Sequence, residues 1–192
     1  MLDNLKKYEL VLASQSPRRQ ELLRDLGLRF TVKTLDVDES FPAGLGMTEV
    51  PVFLAELKAE AFRPFLKNNQ LVITADTIVW LDGKVLGKPE GRDQAFAMLR
   101  DLSGKKHQVL TGVCLLSADK KDSFYVSTDV WFKTLTDEEI AFYLDYYKPY
   151  DKAGAYGIQE WIGYIGIQRI EGSYFNVMGL PVQKLYEHLR VF

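Results

Sequence analysis

Asp76 lies inside an apolar run, Leu71-Val72-Ile73-Thr74-Ala75-Asp76-Thr77-Ile78-Val79-Trp80. A carboxylate buried among such neighbours is costly unless it is paired with a cation or bound to a metal. It is therefore a candidate proton acceptor or metal ligand. Ser14-Gln15-Ser16-Pro17-Arg18-Arg19 offers a different chemistry. Here a short apolar run feeds a turn that opens a helix, where unpaired amides and the helix dipole attract anions. Two hydroxyls and two guanidinium forks beside it make a compact phosphate grip. The glycines and lysine of a P-loop are absent.

Four further segments qualify. Lys58 falls on or beside the apolar stripe Val50, Leu54, Leu57 and Ala61 of a helix, so its ammonium either snorkels or turns toward a phosphate. Glu39, with Asp36 and Asp38, supplies oxygen ligands that suit magnesium or manganese. Lys88 sits in Leu86-Gly87-Lys88-Pro89 after a hairpin strand. Asp151-Lys152-Ala153-Gly154-Ala155-Tyr156-Gly157-Ile158-Gln159 joins backbone freedom to side chains able to read a base or sugar. Taken singly, each also fits a plainer role: a capped surface helix, a strand-end aspartate, a solvated acidic loop, a glycine-rich turn.

The elements that must position these residues alternate between strand and helix patterns, which indicates an α/β protein. Strands are predicted at Glu9–Ala13, Phe30–Leu35, Leu71–Leu81 and Ile162–Ile170, with a paired hairpin at Val109–Ser117 and Phe124–Thr134. Helices are predicted from Ser16 to about Leu26, Thr48 to about Phe62, Arg92 to Leu102, Asp137 to Tyr147 and Pro181 to Leu189. Asp82-Gly83 and Glu171-Gly172 read as turns.

At 192 residues, 47% hydrophobic, the chain suits one domain spanning 1–192. Net charge −2 argues against a grip on long nucleic acid and for local phosphate binding. The single cysteine, Cys114, excludes an internal disulfide and reads as a small core residue. Two histidines, His107 and His188, are too few for a typical zinc site. No apolar stretch has the length of a signal peptide or membrane span, so a cytoplasmic protein is expected.

Together the segments resemble the Maf family, once described as septum formation inhibitors. The matching motifs are Leu12-Ala13-Ser14-Gln15-Ser16-Pro17-Arg18-Arg19, Ala75-Asp76-Thr77, Gly87-Lys88-Pro89, Asp151 to Gln159, and Gly172-Ser173-Tyr174-Phe175-Asn176-Val177-Met178-Gly179-Leu180-Pro181. The resemblance implies a mixed, elongated β-sheet with flanking helices, forming two lobes around a cleft as in inosine triphosphate pyrophosphatases. It also implies hydrolysis of nucleoside triphosphates, dTTP and UTP favoured, to a monophosphate and pyrophosphate with a divalent metal, Mg or Mn. Asp76 then matches the family's proton acceptor. Arg18, Thr77 and Gln159 match positions tied to substrate choice. Ser14, Arg18, Arg19, Lys58 and Lys88 match the phosphate region, and Glu39 and Asp76 the metal region. A homodimer is the expected assembly. Where the family commonly has glycine after Gln159, this chain has Glu160-Trp161, a pair able to reshape the base pocket. The rival expectations are a pyrophosphatase for modified or methylated purine nucleotides, against which Thr77 and Gln159 argue, and a non-catalytic regulator of cell division, against which the full polar set argues.

Overall fold

The computed structural model describes residues 2–192. After a 3-10 turn at Asp3–Lys7 come β1 (Glu9–Leu12), α1 (Pro17–Asp25), β2 (Phe30–Val32), α2 (Glu49–Glu60), β3 (Gln70–Leu81) and β4 (Lys84–Leu86). They are followed by α3 (Arg92–Leu102), β5 (Lys106–Leu116), β6 (Lys121–Phe132), α4 (Asp137–Tyr147), α5 (Trp161–Gly166), β7 (Ile167–Glu171), α6 (Tyr174–Met178) and α7 (Val182–Val191). The strands form a mixed seven-stranded sheet, ordered β2-β1-β3-β5-β6-β7 with β4 paired to β3. β1 runs parallel to both β2 and β3, whereas β3/β4 and β6/β7 are antiparallel. The expected α/β class with a mixed sheet and flanking helices is what the chain forms.

Several elements follow from single residues. The Ser16 hydroxyl accepts from the Arg19 amide and Pro17 occupies the first turn of α1. Thr136 and Glu139 form a reciprocal capping box at the start of α4. Asp82 and Gly83 both take positive φ, 49° and 82°, the conformation of a two-residue hairpin turn, and this fixes the β3/β4 register.

The chain divides into two compact units. Unit 1 comprises Met1–Asp76, Thr111–Val126 and Gly179–Phe192; unit 2 comprises Thr77–Leu110 and Ser127–Met178. In unit 1, α2 lies directly on the sheet. A side chain at Gly112 of β5 would put its Cβ 2.2 Å from the Pro51 carbonyl oxygen, so only glycine permits this approach. Val11, Ala55, Ala59, Val72, Cys114 and Leu116 pack in the layer so formed. Cys114 is the buried core residue expected of it, and burial raises its thiol to about 11, which removes thiolate reactivity. The buried face of α2 is Val50, Pro51, Leu54, Ala55 and Ala59; Leu57 and Ala61, predicted for that stripe, are only partly buried.

Two strand expectations need correction. β2 stops at Val32, not Leu35, because its partner β1 ends at Leu12, whose carbonyl accepts from Lys33 N as the last rung. Ile162 to Gly166 is helical, not extended. The Gly163 and Tyr164 amides both turn back to the Glu160 carbonyl, and Gly163 sits so close to the Ile158 carbonyl that no Cβ would fit. Strand geometry begins at Ile167, where pairing with Phe132 starts. The β-branched Ile162, Ile165 and Ile167 mimic a strand in sequence, and tertiary packing overrides that preference.

The core of unit 2 holds a T-shaped cluster of His107, Phe132 and Tyr156. His107 Nε2 lies 2.8 Å from the Tyr156 hydroxyl, while Nδ1 is buried without a hydrogen-bond partner. Burial pushes the imidazole pKa down to about 4, partly opposed by the Asp129 charge. Because the folded pKa is depressed, the unfolded chain binds the extra proton as pH falls through about 6.5, and the folded chain resists it until about 4. Stability from this group is therefore complete above pH 6.5 and lost toward pH 4, by about 2 kcal/mol at pH 5. Urea unfolding at pH 7.5 and pH 5 should show His107→Gln with a pH dependence smaller than the parent's by that amount; an unchanged dependence would refute the assignment.

Candidate active site

The expected site residues fall in both units: Ser14, Arg18, Arg19, Glu39, Lys58 and Asp76 in unit 1, Thr77, Lys88 and Gln159 in unit 2. In unit 1 the register of β1 against β3 does the positioning. Ala13 N donates to Ile73 O, so the turn after β1 runs beside residues 74–76 of β3. Ser14 is buried there, and its hydroxyl accepts from Ser16 N at 3.2 Å. Arg19 is clamped by two backbone carbonyls: Nη1 donates to Ala75 O and Nε to Gly179 O, each at 2.8 Å. Burial pulls its pKa below the usual guanidinium value, with Asp76 opposing and Arg18 reinforcing that shift; a guanidinium stays charged at neutral pH nonetheless. Arg18 follows Pro17 in the first turn of α1 and is half-buried.

Asp76 is 8% exposed. Its Oδ1 accepts from Lys58 Nζ at 2.5 Å, and the same ammonium lies 3.0 Å from Glu39 Oε1. Lys58 thus turns inward and does not snorkel. Thr74 shows how the register is set: its hydroxyl donates to the Ala55 carbonyl at 2.6 Å. Thr74 and Asp76 share one face of β3, while Ala55 and Lys58 are three apart on α2, so docking one pair aligns the other. Glu39 arrives from the irregular segment after β2 and is exposed.

Glu39 and Asp76 therefore already converge on one cation, and their carboxylate oxygens are the hard donors that magnesium and manganese prefer. Among the described residues there is no group of three or more His, Cys, Asp or Glu side chains able to hold a metal. One or two carboxylates, with substrate phosphates and water completing the shell, is the usual pattern for magnesium. The residues present fit such an ion.

In unit 2, Lys88 follows β4 and is exposed. Its neighbour Gly87 accepts from the Gly154 amide at 3.0 Å, which ties the Gly87-Lys88-Pro89 segment to the glycine-punctuated loop. That loop is tightly constrained. Ala155 has φ 58° although it is not glycine, and Gly154 packs against Val79 where a Cβ would lie 2.9 Å from Cγ2. Gln159 closes the loop with its Oε1 buried and without a hydrogen-bond partner. Thr77, partly buried, continues β3 immediately after Asp76.

Sequence patterns gave no individual role to Lys152, Tyr143 or Gly179. Lys152 is buried and pairs with Asp151 Oδ1 at 2.8 Å and Glu160 Oε1 at 3.0 Å. The other Glu160 oxygen accepts from Tyr143 Oη, and burial together with that carboxylate pushes the phenol well above its ordinary range. A lysine inside a buried glycine loop was the available signal. Gly179, in the last motif, takes its role from the carbonyl that holds Arg19. Trp161 packs on Phe142 with ring centroids 4.7 Å apart.

The chain belongs to the Maf-like protein family, which it matches over residues 9–192. It is 59% identical to the dTTP/UTP pyrophosphatase of Bacteroides thetaiotaomicron, over 99% of each chain. It is 57% identical to that of Porphyromonas gingivalis W83, over 100% of this chain and 98% of the other. The Flavobacterium johnsoniae dTTP/UTP pyrophosphatase is 50% identical over 97% and 96%. Among solved structures, the Staphylococcus aureus Ham1 protein aligns with a TM-score of 0.44 and 19% identity, over 65% of this chain and 71% of that one.

The Lys58–Asp76 pair makes a stability prediction. Lys58→Met leaves the Asp76 carboxylate buried without its ammonium and should cost about 3 kcal/mol in urea unfolding. Adding Asp76→Asn removes the stranded charge, so the double variant should recover part of that loss. A double variant no more stable than Lys58→Met would refute the pairing as the source.

Proposed function

We propose that this chain hydrolyses nucleoside triphosphates between the α and β phosphates, releasing a nucleoside monophosphate and pyrophosphate. In this reading dTTP and UTP are favoured and a divalent cation, magnesium or manganese, is required. The observation that carries it is the inward Lys58–Asp76–Glu39 cluster beside an arginine clamped by Ala75 O. A buried acid with a cation partner is suited to proton transfer, and fixed cations are suited to phosphate. Relatives that align end to end at 50–59% identity are named for this activity, which supports the same assignment.

The roles follow from charge. A nucleoside triphosphate brings roughly four negative charges that must be compensated locally, because the protein itself carries −2. Ser14, Arg18, Arg19, Lys58 and Lys88 bind and orient the phosphates, and the carbonyl clamp on Arg19 sets the direction of its fork in advance. Asp76 accepts the proton of a water as its oxygen attacks the α-phosphorus; the bond to the β-phosphate oxygen breaks and pyrophosphate leaves. Lys58 holds the Asp76 carboxylate in place for that step. Glu39 and Asp76 would hold the divalent cation, which when bound neutralises phosphate charge and polarises the reacting oxygens.

Base choice is assigned to Arg18, Thr77 and Gln159. The Gln159 amide has both an NH2 donor and a carbonyl acceptor, which complement a carbonyl and the N3–H of thymine or uracil. Cytosine presents an unprotonated N3 there and leaves the acceptor unsatisfied, at about 1–3 kcal/mol. The reading has the enzyme acting on free nucleotides in the cytoplasm, with no long nucleic acid as partner, as a homodimer carried over from the family resemblance. Among the described residues no helix is long and apolar enough to cross a membrane.

Three outcomes are expected. With dTTP and magnesium, chromatography should show dTMP and pyrophosphate, and both should vanish with chelator; a diphosphate plus orthophosphate would overturn the cleavage site. Asp76→Asn should keep its fold and lose about two to four orders of magnitude in rate, and a folded variant with near-parental turnover would remove Asp76 from that role. Independently, dTTP and UTP should exceed CTP and dCTP by about ten-fold or more in kcat/KM. Gln159→Ala should flatten that preference more than it lowers the best rate, and unchanged selectivity would discard Gln159 as the base reader.

A further inference from the structure

Glu160 follows Gln159 directly in the chain, and its side chain does not point idly to solvent. One carboxylate oxygen lies 3.0 Å from Lys152 Nζ and the other accepts from the Tyr143 phenol. The phenol oxygen in turn accepts from the Gly157 amide at 3.0 Å. Lys152, Gly157 and Glu160 stand at the start, middle and end of the loop that Gln159 closes, and all three are tied to Tyr143 of α4, directly or through the carboxylate. The Lys152 side chain is only 9% exposed and that of Glu160 19%, so the ring is shielded from water and its geometry is held firmly. The carboxylate also presses on the loop backbone: a Cβ at Gly157 would lie 2.8 Å from the Glu160 carboxyl carbon.

We propose that Glu160 is a positioning residue for nucleobase selection, holding the loop through Lys152 and Tyr143 so that the Gln159 amide is fixed before a base arrives. The proposal rests on the reading of Gln159 as the group that meets the base. A buried neutral amide discriminates only if it cannot swing to satisfy the wrong partner. Gln159 adjoins Glu160 in the chain, and its own Oε1 makes no hydrogen bond that could fix it. The restraint therefore comes through the backbone, and the nearest anchored side chain is Glu160. The Asp151 carboxylate also pairs with Lys152, but it is 60% exposed and contributes little by comparison.

Glu160→Gln keeps the shape and removes the charge; Tyr143→Phe keeps the ring and removes the hydroxyl. Each full-length variant should show faster amide hydrogen exchange across residues 153–159 in the absence of nucleotide, by about ten-fold or more. Each should lose most of its dTTP-over-CTP preference, with the loss for dTTP falling mainly on KM. Two variants acting on different atoms of the ring guard against one failing to fold. Gln159→Ala is the reference. If it loses base preference while folded Glu160→Gln and Tyr143→Phe keep the parental preference and exchange, the positioning role is overturned and the base-reading role stands. If all three variants keep parental selectivity, the base-reading role fails and the positioning role falls with it.

Discussion

The Lys58–Asp76 ion pair is the constraint on which unit 1 depends. A carboxylate at position 76 of a strand whose neighbours are almost all buried cannot be left alone. Its cation must come from an element able to approach the sheet closely enough, and only a helix lying directly on the strands brings an ammonium there. Gly112 removes the side chain that would hold α2 away, Ala55 and Ala59 thin the helix face, and Thr74 fixes the helix along β3. Each of these choices is unremarkable alone. Together they bring Lys58 Nζ to 2.5 Å from Asp76 Oδ1. A buried pair of this kind contributes little net stability; what it provides is an acid and a positive charge fixed side by side.

The same logic governs Arg19. Its guanidinium is held by two main-chain carbonyls, one from β3 and one from Gly179. Carbonyl partners set the direction of the fork in advance, while the Asp76 and Glu39 carboxylates act on its charge. This explains why a motif near the end of the chain belongs with one near its beginning: Gly179, with φ 112° just after α6, presents its carbonyl to the Arg19 guanidinium.

Much of this was legible in the sequence because it rests on local rules. Ser16-Pro17 announces α1, Thr136 with Glu139 announces α4, Asp82-Gly83 announces the β3/β4 turn, and an aspartate in an apolar run announces its own need for a partner. The departures lie where tertiary contacts decide. Ile162 to Gly166 has strand-like composition but turns helical on the Glu160 carbonyl. The end of β2 is set by the end of its partner, which no pattern in residues 30–35 records. The buried face of α2 runs through Ala55 and Ala59 and not through the larger Leu57, because a close helix-to-sheet contact selects small residues over apolar ones. The Tyr143–Glu160–Lys152 ring joins residues up to seventeen apart, and nothing in their spacing pairs them. Glu160-Trp161 suggested a reshaped base pocket; in the fold both side chains are engaged within unit 2, the one in that ring and the other against Phe142.

The two groups of polar residues differ in kind, and the difference has a chemical reason. Unit 1 collects full charges: two arginines, a lysine and two carboxylates. Charges attract phosphate strongly but equally in every nucleotide, so they provide binding and reaction and almost no choice of base. Choice requires neutral groups whose desolvation is repaid by one partner and not by another. Unit 2 offers such a group in Gln159, on a loop where the backbone is strained at Ala155 and locked at Gly154 and Gly163. Strain of this sort persists only where the surroundings over-determine the conformation. The charges of unit 2 that lie near Gln159 in sequence, Lys152 and Glu160, satisfy one another, so a neutral amide there meets no unpaired ion from these two, and it is on this amide that the proposed base choice rests.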